Sequence, residues 1–222
     1  MSSEGKVCYG SGDPHDWAFH RRSDEFLNIL KKFHIELIAD IRAVPRSRNN
    51  PQFNQEVLKA DLGNFGIEYI RIAGLGGLRH PTGASMNSGW RNQSFRGYAD
   101  RMQTAQFKDS LEQLVNIAEE RSSAIMCAEA LPWRCHRSLV GDALLIRGFD
   151  VEDIINDRTS RPHKMTAWGK VVDDVITYPE TTVRSNGPGS GRVTRWEYPS
   201  LMVRIKFELD ALPAADGLAL RL

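Results

Sequence analysis

No stretch of eighteen apolar residues occurs in the 222-residue chain, so the sequence offers no candidate membrane-spanning helix. The opening "MSSEGKVCYG" has no charged start running into an apolar block, and no secretory leader is read there. Cysteine is scarce. Three residues, an odd number outside any repeated framework, exclude a disulfide scaffold and point to free thiols in a reducing cytoplasm. A surplus of charge is lacking as well: 29 Lys and Arg stand against 28 Asp and Glu, for a net charge of +1. Bulk electrostatics therefore draws the chain to no polyanion, and any basic site must be a local cluster. The short paired spacings of structural zinc sites are missing. "GLGG" lacks both the Lys-Ser/Thr of a phosphate loop and the full dinucleotide fingerprint, so no cofactor is assigned.

What remains is an ordinary globular composition, 41% apolar and 26% charged, in a chain long enough for one good-sized domain. Strand-like and helix-like runs alternate. "KVCYG" reads as a first strand, and "SDEFLNILKKF" as a helix with Ser23 at its cap and Phe26, Leu30 and Phe33 on one face. "IELIADIRAV" is a buried strand ending at Pro45, and Asn54 caps a helix running to Gly63 or Gly66. "GIEYIRIAG" is a third strand, followed by a long Gly-rich loop, "GLGGLRHPTGASMNSGWRNQSFRG". Thr104 caps a clear amphipathic helix through Phe107, Leu111, Leu114, Val115 and Ala118. "SAIMCA" is a strand, "HRSLVGDALLIRG" a helix closed by Gly148, "FDVEDII" a strand, and "TAWGKVVDDVI" a last helix.

This alternation predicts an α/β fold: a single three-layer domain over residues 1–178, with a mainly parallel sheet and helices on both faces. Residues 179–222 read as a flexible linker, "RSNGPGSGR", and a strictly alternating segment, "LMVRIKFELD". That segment is a half-buried strand, an arm that adds to the sheet edge of a second copy, or a foreign tail. In a parallel sheet, ligands bind beyond the C-terminal strand ends. The loops after Tyr9, Val44, Ile72 and Ala128 would share that edge, and they hold most of the polar chemistry.

Three clusters follow. In "IMCAEALPWRCHRSLVGDALL", Cys127 closes a strand and Cys135 stands at the start of a helix, beside Arg134, His136 and Arg137. A thiol facing helix N–H groups and cations is expected to have a lowered pKa, which makes Cys135 the candidate nucleophile and Cys127 the candidate core residue. Glu129 could act as acid, base or orienter. A metal held by Cys127, Cys135 and His136 is the alternative, disfavoured because adjacent Cys and His do not easily reach one ion. In "ADIRAVPRSRNN", Asp40, Arg42 and Arg46 form either a substrate clamp or an internal ion pair with solvated arginines. In "GWRNQSFRGYADRM", Trp90 and Tyr98 interleave with Arg91 and Arg96, and Arg79 lies upstream. That composition suits stacked bases, or else the rings anchor the loop to the core.

With these motifs in hand, the chain resembles the bacterial and archaeal family named domain of unknown function 488. The resemblance is carried by "EFLNILKKFHIELIADIRAVPRSRNNPQFN", "GIEYIRIAGLGGLR", "NSGWRNQSFRGYADRM", "AIMCAEALPWRCHRSLVGDALLIRGFDVEDII" and "HKMT", over about Val7 to Ile176. It implies one α/β domain and no established reaction. Gly10-Ser11-Gly12 stands where the family pattern has Gly-His-Ser, with His15 the next histidine. "ADIR" and "MCAEALPWRCHRS" also have a layout similar to that of rhodanese-type sulfurtransferases, a fold-level likeness only. Together these features predict an enzyme acting on an anionic, phosphate-bearing or nucleotide-like substrate. The alternatives are a nucleotide- or nucleic-acid-binding module and a Cys/His metal site, with a homo-oligomer formed through the C-terminal tail a further expectation.

Overall fold

Leu37–Asp40 is apolar on both sides of its pleat, and a strand of that kind is stable only between two covered faces. The computed structural model, which describes residues 23–77, 81, 83–128, 135–180 and 202–206, places it accordingly. This strand, β1, pairs in parallel with β2 (Glu68–Arg71) on one side and β3 (Ser123–Met126) on the other. Leu37 and Ala39 enter one hydrophobic cluster and Ile38 the other. The first strand expected at "KVCYG" lies outside the described residues.

Two helices cover one face. In α1 (Ser23–Lys32), Phe26, Leu27, Ile29 and Leu30 are buried, acids occupy the first turn and lysines the last, as the helix dipole favours. In α2 (Gln55–Asn64), Leu58 and Leu62 face the same cluster, and the chain leaves it through Gly66 at a φ of 72°. The other face is covered by α3 (Gln93–Arg101), α4 (Ala105–Glu120) and α5 (Arg137–Leu145). The Thr104 hydroxyl accepts from the Phe107 amide at the start of α4, as its sequence predicts. The expected long loop is interrupted by α3, whose Asn92 cap accepts from the amides of Ser94 and Phe95.

The sheet is mixed rather than mainly parallel. Beyond β3, the order continues through β8 (Met202–Lys206), β4 (Asp150–Ile154) and β5 (Ser160–Pro162), and all three of those pairings are antiparallel. The cause is β8. Taken from residues assigned to a tail, it occupies the slot between β3 and β4, with Ile205 fully buried. Strand–helix alternation reports how neighbours in sequence connect, and is silent on a strand that arrives from the end of the chain. Its expected alternation holds on the described positions: Met202 faces one cluster, and Val203 and Ile205 the other.

The helix expected at "TAWGKVVDDVI" is instead a hairpin of β6 (Lys170–Val172) and β7 (Val175–Thr177). Asp173 and Asp174 both take positive φ, 49° and 60°, which is the two-residue turn that matches strand twist. The β-branched run on either side favours strand over helix. Among the described residues, no helix is long and apolar enough to cross a membrane.

Candidate functional site

The parallel strands end together. The Ile41 amide donates to the Met126 carbonyl and the Ile72 amide to the Asp40 carbonyl, so the segments that follow β1, β2 and β3 leave the sheet at one edge. There they border a cleft of about 590 Å³ lined by Arg42, Ala43, Val44, Gly77, the first turn of α3, Tyr98, Cys127, Ala128 and His136. This is the edge to which the strand alternation assigned the site, and the parallel half of the sheet is what creates it.

Cys127 and His136 meet in this cleft. The Cys127 Sγ lies 3.8 Å from His136 Nδ1, and His136 Nε2 is 3.4 Å from the Ile41 carbonyl. A carbonyl only accepts, so that contact favours a proton on Nε2 and leaves Nδ1 facing the thiol. The ring is braced from the side by Tyr98, centroid to centroid 4.9 Å. Tyr98 is itself fixed by its hydroxyl, which donates to the Leu75 carbonyl at 2.7 Å. Gly77 completes the enclosure, because a Cβ at that position would stand 2.8 Å from Nδ1.

Cys135 lies behind this pair. Its Sγ, that of Cys127 and a ring nitrogen of His136 are all within 4.8 Å of one another. Cys135 accepts from Arg137 Nε at 3.0 Å and from the Arg137 amide at 3.4 Å. The expected ranking of the two thiols is inverted: Cys135 is 0% exposed, whereas Cys127 is half-buried and borders the cleft. The expected fall in the Cys135 pKa is also reversed. Burial raises it well above the ordinary thiol value, Cys127 adds to that, and the charges of Arg137 and His136 only partly oppose it. The objection that adjacent Cys and His cannot share an ion fails here, since Cys127, arriving from the strand, bridges the two.

The arginine-rich clusters are largely spent on structure. Asp40 is 0% exposed and accepts from the Arg42 amide and side chain and from the Tyr69 hydroxyl at 2.6 Å. Arg42 also donates from Nη1 to the Phe53 carbonyl at 2.7 Å. The internal ion pair is thus the arrangement observed, although Arg42 still borders the cleft. Burial of the Tyr69 hydroxyl, its hydrogen bond to Asp40 and that carboxylate's charge push its pKa well up, so it stays a donor.

Trp90 does not present a stacking face. It packs within 4.8–5.6 Å of Phe95, Trp168 and Tyr178. Phe95 and Tyr98 belong to the core, and Arg96 donates to the carbonyls of Ser88 and Trp90. Arg46 and Arg91 are exposed, and Arg137 is buried on Cys135. Arg79, Glu129 and Arg134 lie outside the described residues.

Sequence reasoning missed a second polar centre. His163 is buried between two carboxylates, with Nδ1 3.3 Å from Asp153 and Nε2 3.2 Å from Asp142. Asp142 also accepts from the Tyr178 hydroxyl at 2.8 Å and the Thr166 amide at 3.0 Å. "HKMT" was the only signal, and nothing local in it announces partners 10 and 21 residues away.

The model of a family described as "Domain of unknown function DUF488" matches residues 22–144, more than half of the chain. No curated protein and no solved structure shows significant similarity to the chain.

Proposed function

The chain belongs to the DUF488 family, and from that premise we propose that it is an enzyme acting on an anionic, phosphate-bearing or nucleotide-like substrate in this cleft. Cys127 is the reacting thiol and His136 its proton partner. One observation carries the reading: the Sγ of cleft-lining Cys127 is 3.8 Å from His136 Nδ1, and the other ring nitrogen is 3.4 Å from the Ile41 carbonyl. Transfer of the thiol proton to Nδ1 leaves a thiolate, the form in which cysteine attacks an electrophilic centre. The resulting imidazolium holds that proton at Nδ1 for return to a leaving group. Cys135 and Arg137 pack beneath as a rigid support rather than as the nucleophile. The Arg42 charge is met by Asp40, so the positive charge an anion requires falls to the exposed Arg46, two residues beyond the cleft-lining Val44.

Alkylation by iodoacetamide, with peptide mapping of the metal-free protein, tests the thiol. Cys127 is expected to react at least about tenfold faster than Cys135, and His136→Gln to slow it by a similar factor. Equal rates at the two thiols would remove Cys127 as nucleophile. Millimolar inorganic phosphate or a nucleoside monophosphate is expected to protect Cys127, and an unchanged rate would remove the anionic substrate.

A further inference from the structure

Cys127 and His136 at the cleft, with the buried Cys135 behind them, define more than a thiol with its base. From their placement we propose that Cys127, Cys135 and His136 form a site for one thiophilic divalent cation of the zinc type, with its fourth position open to the cleft.

In a tetrahedral zinc site, bonds of about 2.3 Å to sulfur and 2.0–2.1 Å to nitrogen give ligand-to-ligand edges of roughly 3.4–3.8 Å. The Cys127–His136 edge already measures 3.8 Å, and the three donor atoms span no more than 4.8 Å. Shifts of about 1 Å at two side-chain ends would close the triangle around an ion.

The surroundings orient the donors for an ion. A metal-binding histidine needs its other nitrogen fixed by an acceptor, and the Ile41 carbonyl provides this at Nε2. A ligating thiolate is steadied by N–H donors, and Cys135 has the amide and the guanidinium of Arg137. Two thiolates and an imidazole are a soft donor set, which selects zinc-like ions over magnesium or calcium. Among the described residues there are three protein ligands with a cleft on the remaining side, the arrangement of a site that exchanges its fourth ligand, in contrast to a closed structural one.

Binding displaces the protons of both thiols into solvent, so affinity rises with pH. The ion and an incoming electrophile require the same Cys127 sulfur. Loading the site therefore shields that thiol, and this consequence alone rests on the proposed function above.

The test uses the full chain, reduced and stripped of metal. Zn2+ titrated against a chromophoric chelator is expected to bind one per chain, and Co2+ in its place to show thiolate-to-metal charge-transfer absorption. Cys127→Ser and His136→Ala are each expected to weaken Zn2+ by about 100-fold or more, above the effect of losing an outer-shell group. Co2+ absorption without a thiolate band, or Zn2+ affinity equal in Cys127→Ser and the parent chain, overturns the site. Because these two substitutions lie at the cleft and not under it, folding is checked by circular dichroism before the comparison is made. Selective alkylation of Cys127 without Zn2+ binding removes this inference alone. One-to-one Zn2+ binding without selective alkylation removes only the thiol mechanism.

Discussion

His163 gives the structure a stability that should disappear in alkali. Burial on its own would lower the pKa of this imidazole, but the hydrogen bonds and charges of Asp142 and Asp153 outweigh it and push the value up to about 9. With both ring nitrogens facing carboxylates, only the doubly protonated cation can donate to both. The groups around it are Asp142 on α5, Asp153 on β4, Arg161 on β5, which lies 3.8 Å from Asp153, and the Tyr178 hydroxyl. The folded-state pKa is raised, so the stabilisation is fully present below the unfolded value of about 6.5 and is lost as pH climbs through about 9. A difference of about 2.5 units corresponds to about 3 kcal/mol.

Urea unfolding of the parent chain and of His163→Gln, at about pH 6 and about pH 9.5, isolates this contribution from other titrating groups. The destabilisation caused by His163→Gln should shrink by about 3 kcal/mol between the two. With a urea slope near 2 kcal/mol per M, the gap between midpoints closes by about 1.5 M. A gap that stays constant with pH would refute the charged histidine.

Two further outcomes test the fold. Asp40→Asn leaves the Arg42 guanidinium buried without its counter-charge and should cost about 3–5 kcal/mol in chemical denaturation; a loss under about 1 kcal/mol would mean the pair is solvated. Ile205→Ala removes a fully buried side chain from β8 and should cost about 2–5 kcal/mol, whereas a silent substitution would place residues 202–206 outside the sheet.

What could be read from the sequence alone was whatever depends on neighbours a few residues away. The amphipathic face of α4 and its Thr104 cap, the buried run of β1 and the exit of α5 through Gly148 at a φ of 82° are all local, and all appear where their patterns place them. The alternation of β1, α2, β2 and β3 likewise implies the shared strand-end edge at which Cys127, His136 and Arg42 gather.

Tertiary structure decided everything that depended on which segments meet. β8 entering antiparallel between β3 and β4, with β5 antiparallel on β4, makes the sheet mixed, because pairing is set by what fills a slot and not by order along the chain. The order of exposure of the two thiols was set by burial, which is a property of the packed core: the helix start expected to lower the Cys135 pKa is covered, and the desolvation there outweighs its cations. Composition identified Cys127, Cys135 and His136 as chemistry-bearing residues, but only the strand end folding back against the helix start could bring their three donor atoms within 4.8 Å.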